Sequence, residues 1–226
     1  MQNKKKIAII YAVAAVLIAV LVISASVTAT LFDRPAYKRF QEKTGLPGAV
    51  GISEEELLEN YSALIDYNSI FFTGPLAFPT FQMSEAGRIH FEEVKAIFSY
   101  FQIMSIVSAL LLALCCLILL IRRQSIAYLL RAGGILSLVI PAVVVLVMAA
   151  VGWDRFFVIF HEVFFNNDFW VFDAQTDPVI LILPDSFFLN CLVRIVVCIV
   201  VSAVLLIWGG NPKTFEIYYK ILKKKS

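Results

Sequence analysis

The sequence predicts an all-α membrane protein: four transmembrane helices, with interfacial helices and loops gathered on one side. Three observations carry that prediction. The 226 residues are 60% hydrophobic and only 16% charged, against about 45–50% and about 25% for an ordinary soluble domain. Four apolar stretches are long enough to cross a hydrocarbon layer, which takes about 20 residues. The charges are also sorted by sign between alternate connecting segments.

The spans are read at residues 7–32, 101–121, 132–152 and 188–208, within a single membrane domain covering residues 1–226. Three carry no charge, and the fourth holds Arg194. The first opens on Lys4, Lys5 and Lys6 and ends among small residues, as a signal peptide does. Its apolar run far exceeds the usual core of about 7–15 residues, so it is read as an uncleaved span. Pro141 falls midway along the third span and should interrupt its hydrogen bonding. All four cysteines, Cys115, Cys116, Cys191 and Cys198, fall inside predicted spans and lack metal-ligand spacing. They read as small apolar packing residues.

Lys and Arg accumulate in cytoplasmic segments. Eleven of the 19 basic residues lie before span one, between spans two and three (Arg122, Arg123, Arg131) or after span four. Sixteen of the 17 acidic residues lie in the other two segments, 33–100 and 153–187, leaving only Glu216. Both termini are therefore expected in the cytoplasm and the two long segments outside. The basic face suits anionic lipid headgroups. A nucleic-acid partner is not expected, because the basic runs hug span ends without interleaved aromatics.

In the first outer segment, Ser53 and Glu56 form a capping box ahead of Leu57, Leu58, Tyr61, Leu64 and Ile65, predicting a short amphipathic helix of roughly three turns. Residues 71–79 read as an apolar Gly-Pro loop at the membrane surface, and Ser84 as the cap of a helix that carries His90 into span two. The second outer segment opens on Trp153 and runs Asp154-Arg155-Phe156-Phe157-Val158-Ile159-Phe160-His161-Glu162. It is too polar to span and too apolar to float, so an interfacial or re-entrant helix is expected. If that helix continued, Asp154, His161 and Asp168 would form one stripe.

His90 and His161 are the only histidines, and each has acidic neighbours: Glu92 and Glu93, and Glu162. Brought together they would supply a base and an acid near neutral pH. A zinc-protease reading fails, since His161-Glu162 is followed by Phe165 where the second histidine belongs. There is no GxSxG and no phosphate-binding loop, with Gly133-Gly134 and Gly209-Gly210 placed at helix ends. No metal or cofactor is expected, although His90, His161 and a carboxylate brought together in three dimensions would be an alternative metal site. Arg194 reads either as snorkelling, as a contact for a lipid phosphate or ester, or as a partner for an outer acid.

Four spans, a histidine just before span two, and His161-Glu162-Val163-Phe164-Phe165-Asn166-Asn167-Asp168-Phe169-Trp170 after span three resemble the lipoprotein intramolecular transacylase family. The resemblance continues through Phe172-Asp173 and Leu183-Pro184-Asp185-Ser186-Phe187 and covers essentially the whole chain. It implies a bacterial enzyme of the cell membrane. Its partners would be diacylglyceryl-modified lipoproteins, and its reaction would move the sn-2 acyl chain to the α-amino group of the N-terminal cysteine. It also implies His90 and His161 as the catalytic pair; we expect one to take the amine proton and the other to donate to the glyceryl oxygen, in an order the sequence leaves open. Arg155, Asn166, Asn167, Asp168, Asp173 and Arg194 are candidates for substrate binding or oxyanion support. Two rivals remain at this point. One is a different membrane hydrolase or acyltransferase. The other is a non-enzymatic sensor or assembly factor working through the acidic face.

Overall fold

The computed structural model describes residues 2–211. The basic run Lys213, Lys220 and Lys223–Lys225, together with Glu216, lies outside the described residues. Among the described residues every regular element is a helix: α1 Gln2–Leu31, α2 Arg34–Thr44, α3 Leu46–Val50, α4 Glu54–Tyr67, α5 Glu85–Ile121, α6 Ala127–Ser137, α7 Val139–Val151, α8 Trp153–Phe164, α9 Val179–Ile182 and α10 Asp185–Gly209. Four stretches are long and apolar enough to cross a membrane: Lys4–Leu31, Glu85–Ile121, Ala127–Val151 and Asp185–Gly209.

The third of these is α6 and α7 in succession, interrupted at Leu138, three residues before Pro141. Proline has no N–H to give the carbonyl of Ser137, so the ladder breaks there as the sequence predicts. That stretch starts at Ala127 rather than Ala132, which places Arg131 inside a helix and not in the preceding loop. Gly133 and Gly134 likewise fall within α6, not at its end.

The chain divides into two compact units. Among the described residues, the first takes in 2–27, Ile103–Leu146 and 195–211. Its core is small: Ala14, Ala15, Ile18, Leu119 and Leu129. Large apolar side chains such as Leu110, Ile121, Leu146 and Leu205 are 67%, 70%, 68% and 61% exposed; this suits a lipid solvent and not water. Gly133 permits the packing. A Cβ there would lie 2.6 Å from Ile18, and one on Gly134 would lie 3.0 Å from the Ala203 carbonyl.

The second unit comprises Thr28–Gln102 and Val147–Arg194. It has an aromatic core in which Tyr37 stacks on Tyr61 at 3.5 Å and both meet Phe187 edge-on. The Tyr37 hydroxyl donates to the Ile182 carbonyl at 2.7 Å, tying α2 to α9. Ser53 caps α4 by accepting from Glu56 N–H at 3.1 Å, as expected, and the helix runs 14 residues. α2 and α3 are additional to the helices expected from the sequence. The signs of α2 were nevertheless present: Asp33 as N-cap, Pro35 in the first turn, Gly45 in the left-handed region at the end, and a buried stripe of Tyr37, Phe40 and Gln41. Its five charged residues disguised that stripe as a polar loop.

Loops of this unit are held by buried amides. Asn60 donates to the Glu56 carbonyl and to Thr80 Oγ1, both at 2.8 Å. Gln102 donates to the Asn68 carbonyl at 2.8 Å and accepts from Ile70 N–H at 3.1 Å.

Candidate active site

α5 opens where the sequence placed it: Ser84 Oγ accepts from Gly87 N–H at 3.0 Å. His90 follows within the second turn and is only 6% exposed. The start of α5 is fixed by Asp177, which the sequence reading did not single out. This aspartate is buried, accepts from Ser84 N–H at 2.8 Å, and accepts from the Thr176 hydroxyl at 2.8 Å. Gly87 lets it approach, since a Cβ there would sit 2.2 Å from the carboxylate. The loop that supplies Asp177 also supplies Phe172, whose ring meets His90 at 5.4 Å and stacks on Phe91 at 5.4 Å.

α8 carries the second histidine. A helix does follow Trp153 as expected; it is amphipathic, with Asp154, Arg155, His161 and Glu162 towards one side, and it ends at Phe164. Phe165 is extended, so the stripe of Asp154, His161 and Asp168 does not form: Asp168 lies beyond the helix, exposed in a turn. The extended backbone turns Phe165 inward, to 5% exposure. Its ring lies 4.7 Å from the His90 ring and 5.7 Å from that of His161.

The two imidazoles are 6.2 Å apart between ring centres and tilted by 33°. Phe157 and Trp170 pack on His161 at 4.3 and 4.5 Å. His161 Nδ1 lies 2.7 Å from the Phe157 carbonyl. A carbonyl only accepts, so Nδ1 holds the proton and Nε2 carries the lone pair of the neutral ring. Burial pushes the His161 pKa below its ordinary value, partly opposed by that hydrogen bond, which favours the charged ring. His90 Nδ1 is shielded and has no hydrogen-bond partner among the described residues. The arrangement can therefore accept a proton at His161 Nε2 in a water-poor, aromatic setting.

Of the other candidates, Asn167 is drawn in. It donates to Glu93 Oε1 at 2.9 Å and accepts from Phe169 N–H at 3.0 Å. Asn166 and Arg155 are exposed. Asp173 is exposed and organises a turn by accepting from Gln175 N–H at 2.8 Å. Arg194 is bonded to Asp33, the outer-acid partner among its three sequence readings. Glu93, one turn beyond His90, was noted only as an acidic neighbour. Its contact with Asn167 could have been found only from tertiary structure, because the two are 74 residues apart.

Residues 12–188 match the family model of the lipoprotein intramolecular transacylase Lit. Among solved structures, the membrane-integral lipoprotein intramolecular transacylase Lit from Bacillus cereus is 29% identical to this chain, with a TM-score of 0.85 over 98% of each. Two variants of that protein, with a histidine replaced by arginine or by alanine, match at 29% identity and a TM-score of 0.81. They cover 99% of this chain and 95% and 96% of their own. No curated protein matches significantly. The family match spans most of the chain, including both histidines and the segment that leads from α8 to α10, and the similar structures agree with it over nearly its whole length: the chain belongs to the lipoprotein intramolecular transacylase family of membrane acyltransferases.

Proposed function

We propose that this enzyme moves the sn-2 acyl chain of a diacylglyceryl lipoprotein onto the α-amino group of its N-terminal cysteine, leaving the lyso form. The supporting observation is the pair of buried imidazoles, 6.2 Å apart in an aromatic shell, with His161 Nδ1 committed to a backbone carbonyl. The neutral amine attacks the ester carbonyl and an N–C bond forms. His161 Nε2 takes the amine proton and returns it to the glyceryl oxygen as the C–O bond breaks. His90, neutral, gives its N–H hydrogen bond to the oxyanion or to the departing oxygen. One proton moves from nitrogen to oxygen and nothing else is consumed. Ester to amide is downhill, so neither ATP nor a cofactor is required. Donor and acceptor share one molecule, which removes much of the entropy cost of their meeting. An α-amino group of ordinary pKa, about 7.7–8.0, needs only a mild base.

The phenylalanines around the pair are suited to acyl chains, and membrane lipids would surround the spans. The basic residues near span ends support both termini in the cytoplasm and a site at the outer leaflet. Mass spectrometry of a lipoprotein's N-terminal peptide, from a host lacking N-acylation, tests the reading. With the enzyme present, one acyl chain should appear on the cysteine nitrogen at unchanged total mass. An acyl chain that stays on the glycerol despite expression of the enzyme would refute it.

A further inference from the structure

Glu93 stands three residues after His90 on α5, so the two side chains share a helix face. Its Oε1 accepts from Asn167. Its Oε2 is shielded from solvent and, among the described residues, accepts no hydrogen bond. On the same face, His90 Nδ1 is equally shielded and unpartnered, on a side chain more than nine-tenths buried. The cations nearest in sequence are engaged elsewhere. Arg88 pairs with Glu85 and Glu92, while Lys95 donates to the Phe72 carbonyl at 3.1 Å and lies over the Tyr67 ring. If holding the Asn167 loop were its whole task, an amide oxygen would accept the same bond without desolvating a charge. A half-satisfied carboxylate beside an unsatisfied imidazole calls for a cation with several donors.

Resting on the transacylase reading, we propose that the Glu93 carboxylate binds the α-ammonium group of the substrate's N-terminal cysteine and holds it against the histidine pair. The ammonium is compact and its donors point in several directions, so one can meet Oε2 while another meets an imidazole nitrogen. The ammonium first gives one proton to water; the neutral amine then attacks, and the carboxylate faces the positive charge on the attacked nitrogen until the second proton passes to His161. In becoming an amide the nitrogen loses two protons. One reaches the glyceryl oxygen through His161 and the other leaves to water. The product nitrogen is neutral, so Glu93 loses its counter-charge when the reaction is complete. The same carboxylate therefore selects free amines over acylated ones and loosens its hold on product.

The test uses the full-length enzyme in nanodiscs and a lipopeptide with an ether in place of the sn-2 ester, which cannot react. It is prepared with either a free or an acetylated N-terminus. The wild type should bind the free amine at least about tenfold more tightly. Glu93→Gln, which keeps an oxygen for Asn167, should bind both forms alike, and Glu93→Asp should keep a preference. A preference that survives Glu93→Gln, or is absent from the wild type, overturns the proposal. Conversion of an ester-linked lipoprotein by the wild type, followed by mass spectrometry in parallel, separates the two failures. If the wild type converts substrate but Glu93→Gln keeps the preference, only the role of Glu93 falls. If it converts nothing, the transacylase reading falls and this inference with it.

Discussion

The two units bury polar groups of different kinds. In the first, the shielded polar side chains named here are hydroxyls that bond back to their own helix: Ser26 to the Val22 carbonyl at 2.7 Å and Ser137 to the Gly134 carbonyl at 2.8 Å. In the second they include amides, a carboxylate and imidazoles; some, such as His161 and Asn68, also bond within their own helix, but others tie distant segments together: Asn60 donates to Thr80, Gln102 donates to the Asn68 carbonyl and Asp177 accepts from Ser84 N–H. A serine in a lipid-facing helix can satisfy itself within one turn and needs no neighbour. A cross-element bond works only when two segments are fixed against each other, and catalysis needs that fixing. The histidines lie in the unit built this way.

Removing the imidazoles should break that unit's function without breaking its fold. His161→Ala and His90→Ala should each lower lipoprotein conversion by about 10²–10⁴-fold, the usual contribution of a positioned acid or base. Circular dichroism and membrane insertion should be unchanged. Activity retained in both single variants would refute the pair. Acid should act in the same direction. The neutral base is lost as pH falls through its pKa, and burial lowers the pKa of His161. The rate should fall first as the substrate amine protonates, at about 7.7–8.0, and should fall more steeply only below the ordinary imidazole value of about 6.5, where His161 protonates in turn. Linkage has the matching sign. Stability from this histidine is present above the unfolded pKa and is lost as pH falls from there toward the folded one.

The glycines sharpen the contrast between the units. Gly133→Leu would force a side chain into Ile18 and should cost about 1–3 kcal/mol, read as a lower melting temperature in detergent. Turnover per folded molecule should hold, because Gly133 faces none of the catalytic side chains. Gly87→Ala meets the Asp177 carboxylate at 2.2 Å. That clash strains the anchor of α5, so both melting temperature and turnover should fall. A Gly87→Ala enzyme with normal turnover would show that Asp177 does not position His90.

How far the sequence could be read depended on the range of the interactions. The four spans, the break near Pro141, the Ser53 cap and the helix after Trp153 are set by composition and local chemistry, and all were legible. So were the two histidines, as the only residues of their kind. The α2 helix was hidden because its buried stripe is only Tyr37, Phe40 and the polar Gln41 among five charges. Asp177 and Glu93 were not legible, because their roles depend on Ser84 and Asn167, 93 and 74 residues away. The end of α8 was not legible, because the aromatic pattern runs on past Phe164 while the helical backbone does not.

The smallest expected effect is at Ser53. Its hydroxyl satisfies one N–H at the start of α4, and Glu54, Glu55 and Glu56 lie in the first turn, where a helix N-terminus favours negative charge. Ser53→Ala removes the cap and leaves those carboxylates, so the cost should be about 1 kcal/mol, within the usual range for a lost cap. α4 supplies Leu57, Tyr61 and Leu64 to the aromatic core but contributes no atom to the histidine pair. Thermal unfolding should therefore shift slightly downward while turnover at low temperature holds. A large loss of turnover would mean that the core transmits strain from α4 to the site. The stacking of Tyr61 on Tyr37, and the bond from Tyr37 to the Ile182 carbonyl, would be its route.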